Sequence, residues 1–227
     1  MKLQTTVFTV AIVTIFMAAV LFYINKKLKE FDPLSEPKGV VLLVIMYAEM
    51  IDNMVKGKTN EKVAKYLTPY IMTIAAYIFL CNIAGLFALE TPTSNLSVTL
   101  VLAAITCVMI EVYSAKARGP KGYIKSWFEP FAPFVVLNIM SKISTLLSLS
   151  LRLFGNILSG GILMSVIYQM LGAISRHIPL IGDKLNVMGV IVAPVLHFYF
   201  DLFSGVMQAF IFITLTSSFI GKELPNK

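Results

Sequence analysis

The stretch Ser148-Leu149-Ser150-Leu151-Arg152-Leu153-Phe154-Gly155-Asn156 lies inside an apolar region, Pro130 to Ser175, whose only charges are Lys142 and Arg152. A run this long and this poor in charge reads as a helix that crosses a membrane, because a span needs about 20 apolar residues. The pattern predicts one long helix from about Pro133 to Leu171. Arg152 falls near its middle, where a charge is costly and by default marks a functional site. Its guanidinium cannot shed its proton to lower that cost.

Outward from this stretch the same rule finds other spans. Leu3 to Asn25, Tyr66 to Leu89 and Thr91 to Ile110 carry no charge, and Asn186 to Gly221 is interrupted only by His197 and Asp201. The expectation is an all-α integral membrane protein, a single membrane domain over residues 1–227, with five transmembrane helices. The last two, at about 35 residues, would cover roughly 52 Å against a hydrocarbon core of about 30 Å, so they must tilt or project. Val40 to Ala48 is too short to span. Glu49, Asp52, Asn53 and Lys56 follow on one helical face, which predicts an amphipathic helix over 40–56 lying on the cytoplasmic surface, the alternative being a sixth, strongly tilted span. The first run lacks a clear cleavage site before Asn25-Lys26-Lys27, so it is read as a retained helix rather than a signal peptide.

Composition agrees. Of 227 residues, 57% are hydrophobic and 14% charged, with a net charge of +7 and a mean hydropathy of +0.81. So few charges could not cover a water-facing surface. The basic excess sorts across the membrane. Lys26, Lys27, Lys29, Lys38, Lys56, Lys58, Lys62 and Lys65 share one connection, Lys116, Arg118, Lys121 and Lys125 a second, and Lys222 and Lys227 the tail. On the other side stand only Lys2, Arg176 and Lys184. The positive-inside rule then places the N-terminus outside and the C-terminus in the cytoplasm, and the +7 reports orientation, not a nucleic-acid partner.

Soluble-enzyme signals are missing. Cys81 and Cys107 lie in apolar runs, and His177 and His197 match no metal spacing, so no metal or cofactor is expected. No phosphate-cradling loop or Ser-His-Asp order is found. Arg118-Gly119-Pro120-Lys121-Gly122 reads as a plain turn.

Two polar stripes remain. Thr145, Ser148, Arg152, Asn156 and Ser159 recur at three, four, four and three, one helix face that Ser141 extends. Hydroxyls alone could glue helices together, but glue does not explain a central arginine. In the last helix His197, Asp201, Ser204 and Gln208 recur at four, three and four. Counting along both helices puts Gln208 and Arg152 at similar depth, with Asp201 ~10 Å nearer the outside. Ser159-Gly160-Gly161 would face Asp201, either admitting water or packing the helices closely. Lys142 and Glu111 read as end-of-helix charges with structural roles.

The stretch 148–156 resembles the S/T-L-x-L-R-L-x-x-N signature in the penultimate helix of the a subunit of F-type ATP synthases. Gln208-Ala-Phe-Ile-Phe212 is similar to the family's Q-A-F-I-F stretch. Phe79-Leu-Cys-Asn82 and Pro92-Thr-Ser-Asn-Leu-Ser-Val-Thr99 are similar to its earlier asparagine-containing helix and the entry to the next. The resemblance covers residues 67–221 in the family's order. Two positions depart: Gly161 stands where many members have a glutamate, and Asp201 where many have histidine or glutamate.

The resemblance implies an ion-translocating stator subunit, without a nucleotide site or catalysis of its own, in the Fo sector. The Lys-rich loops and an N-terminal run without an Arg- and Ser-rich transit pattern favour a bacterial plasma membrane over an organelle. Implied partners are the c-ring, the peripheral-stalk b subunits, the rest of the synthase and membrane lipid. Implied proton-translocation residues are Arg152, Asp201, Gln208, Asn156, His197, Ser148 and Ser159, along two offset half-channels carrying protons or Na⁺. Residue reading alone leaves a secondary transporter with a mid-membrane Arg152/Asp201 site as the alternative. Five spans without an internal repeat fit that poorly.

Overall fold

The structure, a computed structural model, describes residues 2–32, 35–87, 89–128, 131, 133–176 and 187–223. Among the described residues every regular element is helical. They are α1 (Lys2–Glu30), α2 (Val40–Lys56), α3 (Glu61–Ile83), α4 (Leu96–Trp127), α5 (Phe134–Ser175), α6 (Val187–His197) and α7 (Ser204–Glu223). Short 3₁₀ turns, Ala84–Phe87 and Pro92–Ser94, join α3 to α4, and a π turn, Phe198–Phe203, joins α6 to α7. Five helical stretches are long and apolar enough to cross a membrane: Thr5–Glu30, Val63–Phe87, Leu96–Trp127, Phe134–Ser175 and Met188–Glu223.

The expected spans are found, and three run further than charge counting allowed. α5 has 42 residues, about 63 Å of helix, twice the hydrocarbon thickness. α1 continues to Glu30, where Lys27 and Glu30 lie 3.9 Å apart. α4 runs past Ile110 to Trp127, through the segment expected to be a turn. The chain breaks only at Gly119, with φ 72° and ψ 163°. A left-handed φ is cheap for glycine, and Pro120 then suits the first position of the helical piece that follows. Two of the charges of this region have partners: Glu111 pairs with Lys142, and Arg118 with Glu223.

α3 is the centre of the bundle. It packs on α7, α2 and α1, while α4 packs on α5 and α7. Leu67, Ile71 and Ile78 of α3 are fully buried with Leu149 and Leu153 of α5, Phe212 and Ile220 of α7, and Ile51 and Val55 of α2. Hydroxyls link the helices inside. Thr99 and Ser150 lie 3.2 Å apart, Tyr70 and Thr106 3.0 Å, and Thr93 donates to Asn82 at 2.9 Å. Such bonds replace the water that a bilayer lacks. Two glycines let backbones approach. A Cβ at Gly205 would stand 3.1 Å from Asn82 Cβ, and one at Gly221 only 2.2 Å from the Lys58 carbonyl oxygen. The outside is apolar: Phe8, Phe22, Leu43 and Val190 are all exposed, a surface suited to lipid tails.

The helix expected over 40–56 forms with those bounds. It buries Val41, Ile51 and Val55 and exposes Leu42, Leu43, Met46 and Met50. Glu49, Asp52, Asn53 and Lys56 line its polar edge. Tyr47 donates to the Met72 carbonyl at 2.9 Å, and Thr68 donates to Asp52 at 2.9 Å, so α2 is tied to α3 at two points.

Candidate functional site

Two polar clusters sit at opposite ends of the α5–α7 pair. In the first, the last helix carries His197 at the end of α6 and Asp201 within the π turn. A π turn inserts an extra residue and offsets the faces on either side, and such turns recur at functional sites. His197 Nδ1 lies 2.6 Å from Asp201 Oδ2, and its Nε2 lies 3.0 Å from the Tyr168 hydroxyl. One helical turn further along, Ser204 donates to Asn156 Oδ1 at 3.0 Å.

These contacts define an antiparallel register. Asn156 faces Ser204, and a Cβ at Gly160 would meet the Phe200 ring at 3.7 Å. Four residues in the other direction, position 152 comes level with position 208. That agrees with the depth expected from counting residues, yet the two side chains point differently. Arg152 is exposed on α5, whereas Gln208 is buried, with 5% of its surface accessible. Gln208 therefore does not hold Arg152 through a hydrogen bond here, because α7 turns that face toward the bundle centre. Among the described residues the buried amide nitrogen of Gln208 has no partner. Among the described residues Arg152 has neither a hydrogen-bond nor an ion-pair partner.

The remaining stripe residues divide by face. Ser148 and Ser159 are exposed beside Arg152. Ser159 spends its hydroxyl on the Asn156 carbonyl at 3.1 Å, and Thr145 bonds the Ser141 carbonyl at 3.0 Å. Nothing lies within 4 Å of where a Gly161 Cβ would be. His177 falls outside the described residues. Tyr168 carries no signal in the sequence because it lies twelve positions after Asn156, off the polar face, in a run without charge. Only the packing of α5 on α6 brings it to His197.

In the second cluster, Lys142 Nζ lies 2.5 Å from Glu111 Oε2, and Tyr123 donates to the same oxygen at 2.6 Å. Lys142 also sits over the rings of Tyr123 and Trp127, at 5.1 and 4.2 Å. Beside them Arg118 donates to the Glu223 carbonyl at 3.0 Å, and Ser114 to its carboxylate at 3.0 Å. A cavity of about 190 Å³ opens here, lined by Glu111, Ser141, Lys142, Thr145, Lys222 and Glu223. Read singly, Glu111 and Lys142 were two end-of-helix charges; folded, they are one ion pair with aromatic cover. Among the described residues no three His, Cys, Asp or Glu side chains gather as a metal site, and Cys81 and Cys107 are free thiols.

Residues 5–221 match the family model described as ATP synthase A chain. The chain is 31% identical to ATP synthase subunit a of Desulforamulus reducens over 215 residues, which is 94% of this chain and 78% of that protein. It is 33% identical to ATP synthase subunit a of Acidothermus cellulolyticus over 186 residues, covering 79% of this chain and 63% of the relative. For the Staphylococcus aureus (strain JH9) subunit a the identity is 28% over 203 residues, 85% and 81% of the two chains.

Proposed function

The chain belongs to the ATP synthase A chain family, and from that membership we propose that it is the Fo stator subunit that passes ions between two half-channels beside a rotating c-ring. The family assigns it to the membrane sector of the ATP synthase and to proton transport. The observation that carries the finer reading is Arg152: a permanent cation midway along a spanning helix, exposed, and without a partner among the described residues. Such a charge is tolerated when an anion or water meets it. A carboxylate on a neighbouring c subunit supplies that anion.

The physics of the step follows. A fixed positive charge within several Å of a carboxylate favours its ionised form. A rotor site arriving protonated therefore gives up its proton near Arg152. The same charge repels a cation that would leak straight across. Ions enter from one side and leave to the other through offset paths, and each crossing requires rotation. The membrane potential contributes about 2.3 kcal/mol per charge per 100 mV.

Asp201, His197, Asn156 and Ser159, with Ser204, line the outer path in this reading, and Ser148 lies on the other side of Arg152. Gln208 stands at the same level, behind Arg152. Peripheral-stalk b subunits hold the chain against the rotor. The N-terminus faces outside and the C-terminus the cytoplasm of a bacterium.

Arg152→Ala tests the proposal. The complex assembles with its c-ring and b subunits, but ATP synthesis and ATP-driven pumping are lost. Normal pumping by that variant overturns the assignment. Asp201→Asn lowers proton flux without blocking assembly, and unchanged flux removes Asp201 from the path.

A further inference from the structure

Tyr168 lies off the polar stripe of α5, and no role falls to it from the family motifs. It nevertheless meets His197 from a different helix, hydroxyl to Nε2, at 3.0 Å. His197 is thereby gripped at both ring nitrogens, by Tyr168 from α5 and by Asp201 from the π turn at 2.6 Å. We propose that Tyr168 is a positioning residue of the outer ion site: its hydroxyl holds Nε2 of His197 so that Nδ1 stays on the Asp201 carboxylate. This inference rests on the proposed ion path through Asp201.

With Asp201 ionised and His197 neutral, the three groups fit one arrangement. An ionised carboxylate only accepts, so a neutral His197 must carry its proton on Nδ1 and donate it to Asp201. Its Nε2 is then an acceptor and needs a donor. The phenol is that donor. The assignment of the tautomer follows from the network, since each bond fixes the next. The grip matters because His197 ends an α-helix and adjoins a wider π turn, with a side chain 43% exposed. Free at Nε2, the ring could turn away from Asp201 or carry its proton on the other nitrogen. The two rings are 6.3 Å apart and tilted by 41°, so they are not stacked. The hydroxyl is the group that positions the imidazole.

The complete synthase, reconstituted in liposomes, tests this with Tyr168→Phe, which keeps the ring and removes the oxygen. The expected result is normal assembly with proton flux lowered about threefold to tenfold, the range set by one net hydrogen bond. In a His197→Phe background the same change has no further effect, because the partner is already gone. The infrared spectrum provides a readout that needs no flux. In the wild-type complex the C–O band of one tyrosine shifts when His197 is replaced by Phe, and that band is absent in Tyr168→Phe. Wild-type flux in Tyr168→Phe, an equal further loss in the His197→Phe background, or a tyrosine band indifferent to His197 each overturns the proposal. If Asp201→Asn blocks flux while Tyr168→Phe does not, only the role of Tyr168 falls. If Asp201→Asn has no effect, the ion path itself falls.

Discussion

Ser204 donates to Asn156 across the seam between α5 and the last helix, at 3.0 Å, and that bond sets the register of the two longest spans. With 156 opposite 204, position 160 meets position 200 and position 152 comes level with 208. Cysteines placed at 156 and 204 should therefore cross-link with a short bifunctional thiol reagent, whereas cysteines at 156 and 212 should not. Equal yields from both pairs would show that the register is not held.

Gln208 is buried, and its amide nitrogen has no partner among the described residues. A buried donor without a partner costs about 1–3 kcal/mol, and an apolar side chain of similar shape avoids the cost. Gln208→Leu should then match or exceed the wild type in thermal stability in detergent. Its proton flux should fall if the amide serves the ion path at the level of Arg152. A clear loss of stability would mean that the amide is satisfied in the folded protein.

The Glu111–Lys142 pair is about one-third exposed on each side, so solvent screens part of its attraction. Breaking it still strands Lys142 between Tyr123 and Trp127. Glu111→Gln should cost about 1–2 kcal/mol after that screening, less than the 3–5 kcal/mol typical of a fully buried pair. Glu111→Gln combined with Lys142→Met should recover part of the loss. A double-mutant cycle on thermal stability in detergent measures the coupling, and strict additivity would refute the pairing.

On the polar edge of α2, outside the spans, Lys56 lies 2.6 Å from Asp52. Its hydrogen bond holds the Asp52 carboxyl below the usual carboxylate range, with Thr68 adding to the effect. The same contact raises the Lys56 ammonium above its usual range. A depressed carboxyl stabilises the fold above its unfolded pKa and loses that contribution as acid protonates it. A raised ammonium stabilises below its unfolded pKa and loses its contribution in strong base. The pair should thus be insensitive to pH between about 5 and 10. Asp52→Asn should show its loss of stability across that window, reduced by salt, and converge with the wild type once acid has protonated Asp52 in the folded protein as well. A difference that grows on acidification would contradict the pairing.

Length and hydrophobic period alone specify much of this molecule. Charge-free runs longer than a bilayer is thick can only be spans, and residues at spacings of three and four must share a face. That was enough for five spans, for α2 with its bounds, and for the stripes holding Arg152, Asn156, His197 and Asp201. It was also enough to bring the Arg152 and Gln208 positions to one depth. Period does not say what a face meets. Tertiary packing decided that Gln208 points inward while Arg152 points out, that Glu111 and Lys142 share one bond, and that α4 passes Gly119 as a kink. It also brought Tyr168 to His197, two residues 29 apart in the chain whose meeting depends on how α5 leans on α6. The π turn around Asp201 belongs to the same class: an extra residue in a helix leaves no mark on composition, and it appears only when neighbouring helices fix the faces on either side of it.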